Sequence, residues 1–178
     1  EEHGGLDGND VDLSLMFEEF GKAIVVEPYL ANVVLGGGIL KRSDLEDRSK
    51  YIEGIISGES QISLANYEPT KGFNLGNVDC EISSDGNVNG LKTTVLNAQN
   101  ANYFVVFGKQ GDSYAFALVS NDAEGLDCTS YKTYDGFVSG DVKFNNCKAE
   151  AVFSTSNALE ILEETILDGL ICVSSEAV

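Results

Sequence analysis

The chain has 178 residues, of which 43% are hydrophobic, and a formal net charge of −18 from 29 acidic and 11 basic residues. The hydrophobic content is that of a globular protein with a substantial core, which excludes wholesale disorder. Because basic residues are few and Lys41-Arg42 is their longest cluster, nucleic acid and anionic membrane surfaces are excluded as expected partners. The acidity is typical of a solvated surface.

The residues from Asp10 to Gly58 predict three helices. Asp10 is a candidate N-cap, and apolar residues follow it at helical spacing: Leu13, Met16, Phe17 and Phe20. The next apolar run is interrupted by Glu27-Pro28 and by three glycines from Gly36, so it is too short to span a membrane. We expect a buried second helix over residues 28–40 and a third over residues 44–57.

From Gln61 onward, short apolar runs alternate with turn signals such as Asp85-Gly86 and Asp135-Gly136. Dense strands with a turn about every ten residues are typical of an antiparallel barrel or sandwich. About seven strands are expected, over residues 61–67, 77–83, 87–96, 102–107, 113–119, 126–134 and 138–147.

After Ser156 the helical period returns, and one apolar stripe is expected to be buried: Leu159, Leu162, Ile166, Leu170, Val173 and Ala177. This helix has no evident stop signal, and we expect it to pack on a helical region of a longer polypeptide. The predicted fold class is therefore α+β, with N-terminal helices, an antiparallel β-barrel of about seven strands and one long C-terminal helix.

Candidate metal ligands and disulfide partners are sparse. The four cysteines, Cys80, Cys128, Cys147 and Cys172, are far apart, no CxxC pair is present, and His3 is the only histidine. This pattern predicts no metal site and no disulfide framework. Free thiols in a cytoplasmic protein are the expectation.

Several strings, in the same order along the chain, resemble the acyl-CoA dehydrogenase family of flavoproteins. Residues 1–6 resemble the loop that enters the family's fourth helix, and residues 17–31 resemble the helix pair that follows it. Glu68-Pro69 stands where the family has Thr-Glu-Pro. Asn89-Gly90-Leu91-Lys92 matches the Asn-Gly-x-Lys that begins a flavin-contacting strand. Residues 135–144 resemble the family's late strands, so the resemblance covers essentially the whole chain.

The resemblance implies an organisation and an activity. Residues 1–60 would end an N-terminal helical domain, residues 61–153 would form the middle β-barrel domain, and residues 154–178 would begin a truncated C-terminal helical domain. FAD is the implied cofactor, and the implied reaction is α,β-dehydrogenation of an acyl-CoA thioester. The implied partners are an electron-transferring flavoprotein and further subunits of a homo- or hetero-oligomer, because the family builds its cofactor site partly from a neighbouring subunit.

The resemblance also assigns flavin contacts, with departures from the family pattern. The assigned residues are Asn66, Tyr67, Thr94, Val95 and Leu96. Tyr67 replaces a threonine, Thr94 replaces the tryptophan that stacks on the flavin, and Leu96 replaces a hydroxyl residue. Because leucine cannot donate a hydrogen bond, a flavin would depend on backbone groups of residues 64–67 and 94–97. Tyr67 and Phe73 could instead be aromatic residues of the barrel core.

No catalytic residue is assigned. In the family, a carboxylate from the C-terminal helical domain abstracts the α-proton, and one of its two known positions aligns with Gly169, beside Asp168. Asp168 is also explained as a solvated acid on a helix face. The departures resemble a divergent branch that includes the small subunit of pimeloyl-CoA dehydrogenase. A non-catalytic partner subunit and a β module for an unrelated ligand therefore stay as alternatives.

Overall fold

The computed structural model describes residues 8–154 and 156–178. The expected loop at residues 1–6, with His3, lies outside the described residues. The helices are α1 (Asp10–Ala23), a π-helix (Leu30–Gly36), α2 (Gly37–Arg42), α3 (Arg48–Ser57), a short 3-10 helix (Ala98–Asn100) and α4 (Ala158–Glu176). The strands are β1 (Ile62–Ala65), β2 (Glu81–Ile82), β3 (Asn87–Leu96), β4 (Tyr103–Gln110), β5 (Ser113–Ser120), β6 (Leu126–Lys132), β7 (Val138–Lys148) and β8 (Ala151–Phe153).

The strands form one mixed sheet in the order β6-β7-β3-β2-β4-β5-β8, with β1 added beside β4. The α+β class is confirmed, and the described residues form eight strands where about seven were expected. The expectation of an antiparallel barrel is wrong in two respects, because the sheet is not closed between β6 and β8 and because both β1 and β2 pair with β4 in parallel. The β2–β4 pair is parallel because β2 and β3 form a hairpin, after which β4 runs in the direction of β2.

Two apolar clusters stabilise the sheet from opposite faces. The first lies on the face of the sheet away from helices α2, α3 and α4, and it includes Val95, Phe104 and Phe144. The other lies between the sheet and helices α2, α3 and α4, and it includes Leu40, Phe116 and Leu162. A third, smaller cluster joins α1, the π-helix and α4. Helices α2, α3 and α4 thus cover one face of the sheet, and α1 packs on the π-helix and α4.

The N-cap of α1 is Asn9, one residue before the expected Asp10. The Asn9 side chain accepts hydrogen bonds from the backbone N–H of Val11 and Asp12, and the Asp12 carboxylate accepts one from the Asn9 N–H. This reciprocal arrangement is a capping box, which satisfies N–H groups that have no partner within the helix.

The expected helix over residues 28–40 is present as two helices of different kinds. Its first part is a π-helix, whose Asn32 side chain accepts a hydrogen bond from the Ile62 N–H of β1 at 2.8 Å. Gly36 lies so close to the same strand that an added Cβ would be 2.3 Å from the Ile62 carbonyl oxygen. The π-helix therefore packs directly on the backbone of β1, which a side chain at position 36 would prevent.

The expected start of the third helix and the expected length of the strand over residues 77–83 are wrong. In both cases a carboxylate accepts a hydrogen bond from the backbone of another segment. Helix α3 begins at Arg48, four residues after the expected start, and the Asp44 carboxylate instead accepts hydrogen bonds from the Ser154 N–H and hydroxyl. The expected strand 77–83 shortens to Glu81–Ile82, since the N–H groups of Asp79 and Cys80 donate to Glu68 and not to a neighbouring strand.

Helix α4 packs on α1, α2 and the π-helix of the same chain. The expected packing of this helix on a region of a longer polypeptide stays a prediction. Its buried residues are Ala158, Ile161, Leu162, Thr165, Gly169 and Cys172. Of the expected stripe, Leu162 is buried, whereas Leu170 and Val173 are exposed. Gly169 on the buried face lets α4 approach Leu35 of the π-helix closely.

Candidate cofactor-facing site

The two segments assigned to flavin contacts lie side by side. The chain leaves β1 at Ala65, and the carbonyl oxygen of Tyr67 accepts a hydrogen bond of 2.9 Å from the Thr93 N–H of β3. Asn66 and Tyr67 are therefore held next to the part of β3 that contains Thr94, Val95 and Leu96. The structure brings all five residues into one region, formed by the end of β1 and the second half of β3.

The five side chains differ in what they present. Thr94 is exposed, Tyr67 and Leu96 are half-buried, and the Val95 side chain lies in the core between the strands, which leaves only its backbone for contacts. Asn66 is 8% exposed, and its Nδ2 has no hydrogen-bond partner among the described residues. A buried amide without a protein partner can donate a hydrogen bond to a group that reaches it.

The alternative that Tyr67 and Phe73 are core aromatics is wrong for Phe73. The Phe73 side chain is 92% exposed and lies on the loop after Pro69, with its ring 6.4 Å from the ring of Tyr67 in an edge arrangement. The aromatic pair therefore borders the region from outside the sheet.

A β-bulge sets the backbone at the centre of this region. The pairing of β3 with β7 shifts register between Lys92 and Val95, and Thr94 has a positive φ of 55°. A β-branched residue rarely adopts this conformation, and such strain is typical of functional segments.

The carboxylate of Asp141 on β7 holds the bulge in place. It accepts hydrogen bonds from the Thr93 hydroxyl at 2.7 Å, from the Thr94 N–H at 3.3 Å and from the Tyr131 hydroxyl at 3.2 Å. The pKa of Asp141 is lowered, mainly because the Thr93 hydroxyl stabilises its charged form. The bulge is thus fixed from the neighbouring strand.

A buried ion pair joins the two segments that were assigned to flavin contacts, residues 66–68 and β3. The Lys92 ammonium, whose side chain is 0% exposed, lies 2.7 Å from Oε1 of Glu68, whose side chain is 4% exposed. Lys92 also donates to the carbonyl oxygen of Asn66 at 3.2 Å. Burial by itself raises the pKa of Glu68, but the hydrogen bond and charge of Lys92, together with the N–H groups of Asp79 and Cys80, lower it overall.

The region on α4 that aligns with the family's catalytic base is closed. Asp168 is paired with Arg42 at 2.6 Å, and Arg42 also lies 3.3 Å from Glu164. Gly169 is buried, and an added Cβ would be 3.0 Å from Cδ2 of Leu35. Neither position offers an unpaired carboxylate with space around it for a substrate.

Surface clefts lie away from the assigned flavin residues. One, of about 360 Å³, lies between α1 and the end of α4, and another, of about 420 Å³, lies between residues 44–47 and β8. Neither is lined by residues 66–67 or 94–96. In the region described above, Thr94 is exposed and Tyr67 and Leu96 are half-buried, so we call this region the open face.

The part of the chain that the structure describes contains neither a metal-binding cluster nor a membrane-spanning helix. No group of three histidine, cysteine or acidic side chains there has a geometry that could hold a metal ion. None of the helices there is both long and apolar enough to cross a membrane.

Several residues of the region were missed by sequence reasoning. The sequence places Lys92 and Glu68 in family motifs but does not indicate their pairing, and no sequence pattern indicates a role for Asp141 or Tyr131. A lysine inside an otherwise apolar strand is a usable signal, because a buried ammonium requires a partner. Nothing in the sequence near Asp141 indicates that it binds a bulge 47 residues away.

Comparisons with known proteins give a consistent result. No protein-family model matches the chain. The chain is 31% identical over 142 residues to a probable acyl-CoA dehydrogenase of Bacillus subtilis, YngJ. The match covers 73% of this chain and 37% of that protein. It is 29% identical over 112 residues to the caffeyl-CoA reductase-Etf complex subunit CarC of Acetobacterium woodii, with 60% of this chain and 30% of that protein covered.

A solved structure extends the likeness to the whole fold. Glutaryl-CoA dehydrogenase from Mycobacterium smegmatis, in complex with FADH2, superimposes with a TM-score of 0.87 at 18% identity over 99% of this chain and 49% of that one. At this identity the likeness shows the fold alone. The chain spans 37% of the length of the Bacillus subtilis relative and about half the length of the solved structure.

Proposed function

We propose that this chain, which is related to acyl-CoA dehydrogenases in sequence and fold, forms the flavin-facing part of such an enzyme. The observation that carries the proposal is the hydrogen-bonded contact between the segment 66–67 and the bulged strand 92–96. In this proposal, residues 61–153 act as the middle β domain. The full protein catalyses the α,β-dehydrogenation of an acyl-CoA thioester.

The residues of the open face fit a flavin through backbone and amide groups. Asn66 contributes a buried side-chain amide without a partner, and the bulge presents backbone at residues 94–96. The relative from Mycobacterium smegmatis is described in complex with FADH2, which supports FAD as the cofactor. When bound, a flavin would supply the hydride acceptor for the dehydrogenation.

The chain's own residues would orient the ring and exclude water from one side. The half-buried side chains of Tyr67 and Leu96 form an apolar border, and the Asn66 amide can hydrogen-bond to a polar edge of the ring. Asp141 keeps the bulge rigid, so that the backbone of residues 94–96 is already in place before binding.

The direct test is flavin retention by the purified protein. The protein is mixed with FAD, separated from free flavin by gel filtration, and examined for the visible absorption bands of bound flavin. The proposal expects those bands to co-elute with the protein and to bleach when an acyl-CoA thioester is added. Absence of bound flavin at saturating FAD would contradict the proposal.

A second candidate, a non-catalytic partner subunit of a heteromeric acyl-CoA dehydrogenase, is favoured by one observation. Asp168 is bound by Arg42, and Gly169 is packed against Leu35, so α4 presents no free carboxylate. A protein of this kind would still share the fold and contribute to an interface. Flavin that is retained but not bleached by any acyl-CoA, until a sister subunit is added, would identify this case.

An electron-transferring flavoprotein is the proposed electron acceptor, and further subunits are proposed to complete the site. The relative CarC is named as a subunit of a complex that contains Etf, which supports the first proposal. The exposure of Thr94 on the open face, which a further subunit would cover, supports the second. Co-elution with an electron-transferring flavoprotein in gel filtration would test the acceptor.

A further inference from the structure

We infer that Glu68 and Lys92 are positioning residues, which set the distance between the two segments that face the flavin. The inference deepens the proposed function and rests on it, because it concerns the same face. Neither residue is argued to touch the cofactor or the substrate. Their effect would pass through Asn66 and Tyr67 on one side and through residues 94–96 on the other.

Lys92 links the two segments directly. It belongs to β3, two residues before Thr94, and its ammonium reaches across to the carbonyl oxygen of Asn66 at 3.2 Å. The adjacent Thr93 N–H binds the carbonyl oxygen of Tyr67 at 2.9 Å. Two successive residues of β3 therefore hold two successive carbonyl groups of the other segment, and only the first of these bonds depends on a side chain.

Glu68 completes the arrangement by fixing where the ammonium lies. Its Oε1 accepts from Lys92 at 2.7 Å and from the Cys80 N–H at 2.9 Å, and its Oε2 accepts from the Asp79 N–H at 2.6 Å. The carboxylate thus closes the loop between residues 68 and 79 as well. Because both charges are removed from water, the pair tolerates little movement.

The chain offers a matched control in the same loop. Lys71 and Asp79 also form an ion pair at 2.7 Å, but the Asp79 side chain is 73% exposed. An exposed pair contributes little to stability and does not bind a carbonyl of either flavin segment. Lys71→Met therefore removes one lysine near the same loop without affecting the link between the segments.

The experiment measures two quantities on each variant: the dissociation constant for FAD, from quenching of flavin fluorescence, and the stability of the flavin-free protein, from urea unfolding. The variants are Lys92→Met, Glu68→Gln, the double variant with both changes, and Lys71→Met. Each single change at the buried pair is expected to weaken FAD binding at least about tenfold, because misplaced binding groups lose affinity steeply. Lys71→Met is expected to bind as the unmodified protein does.

The double variant separates positioning from a merely structural role. It leaves no uncompensated charge, so its urea midpoint should return most of the way to that of the unmodified protein. Its FAD affinity should stay low, because the bond from Lys92 to the Asn66 carbonyl is still missing. A merely structural pair would instead recover stability and affinity together.

The outcomes are distinguishable from failure of the proposed function. If the unmodified protein does not bind FAD, both proposals are overturned. If it binds FAD and the variants at Glu68 and Lys92 bind equally well while losing stability, only the positioning role is overturned. Recovery of affinity in the double variant would overturn it as well.

Discussion

The face formed by residues 66–68 and 92–96 and the base-aligned region around Asp168 and Gly169 on α4 differ in how they are built. On the strand face, polar groups are fixed from behind by a buried ion pair and from the side by Asp141, and the Asn66 amide is left without a partner. On α4, the carboxylate is bound by Arg42 and the glycine is covered by Leu35.

If the proposed function holds, this difference places groups that could bind a cofactor on the strand face and leaves no free carboxylate at the base-aligned position of α4. A buried ion pair is costly to keep unless geometry requires it, whereas a glycine packed under a leucine is an ordinary helix contact. The strand face is therefore the part of the molecule where substitutions should have functional consequences. The substitutions below test this contrast in order of expected effect.

The largest expected effect is on the buried pair. Lys92→Met removes the partner of a buried carboxylate, which is expected to lower the free energy of unfolding at pH 7 by about 3–5 kcal/mol. Urea unfolding followed by circular dichroism measures it. Lys71→Met, at the exposed pair in the same loop, is expected to cost at most about 1 kcal/mol. Equal effects of the two changes would show that burial of the Lys92 pair has no energetic consequence.

The same pair predicts a pH dependence with a definite sign. Because the folded protein lowers the pKa of Glu68 below its usual 4.5, the interaction stabilises the fold above that pH and is lost as the pH falls through the folded-state pKa. The gap in unfolding free energy between the unmodified protein and Lys92→Met should therefore narrow as the pH falls below about 4.5 towards the folded-state pKa of Glu68. A gap that widens on acidification would contradict the assignment of a charged Glu68.

The next effect concerns the closed region on α4. Gly169→Glu places a side chain where a Cβ already lies 3.0 Å from Cδ2 of Leu35, and overpacking is expected to cost about 1–3 kcal/mol in unfolding free energy. Adding Leu35→Ala to it should recover part of that loss by removing the obstructing methyl groups. Thermal unfolding of the single and double variants checks this. If Gly169→Glu is fully tolerated by itself, the region is open and the contrast with the strand face fails.

The order of helices and strands could be predicted from the sequence, because local periodicity and turn residues carry it. The bounds of β3 agree with the expected 87–96. Errors arose where a distant group binds the backbone, as Asp44 does at Ser154 and Glu68 does at residues 79–80. Such bonds join residues that are far apart in the sequence, so local sequence patterns do not predict them.

The buried face of α4 shows a second limit. Periodicity favoured the large apolar residues, yet the buried face also contains Thr165, which packs on Gly38 of α2, and Gly169, which packs on Leu35 of the π-helix. The five flavin assignments came from resemblance, and their hydrogen-bond partners could not be derived from it. The pairing of Lys92 with Glu68 depends on the crossing of the segment after β1 with β3, which only the tertiary structure specifies.

A smaller effect is expected from restoring a hydroxyl group on the strand face. Leu96 is half-buried and cannot donate a hydrogen bond, so Leu96→Thr should tighten FAD binding about two- to tenfold, the value of one net hydrogen bond. Leu96→Val is the matched control, since valine has nearly the shape of threonine without the hydroxyl. Flavin fluorescence titration compares the two. Equal affinities for the two variants, or weaker binding by Leu96→Thr, would count against Leu96 as a flavin contact.

The smallest effect is expected at Asp168, and it tests whether the base-aligned region of α4 lacks a free carboxylate. Asp168→Asn keeps the shape of the side chain and removes one partner of Arg42, which still has Glu164 at 3.3 Å. The loss in unfolding free energy should be about 0.2–1 kcal/mol, as for a partly exposed ion pair. The rate at which an acyl-CoA bleaches bound flavin should not change, because an aspartate held by arginine is not free to take a proton. A rate that falls by orders of magnitude, with stability preserved, would make Asp168 the base and would show that α4 is equipped for proton abstraction after all.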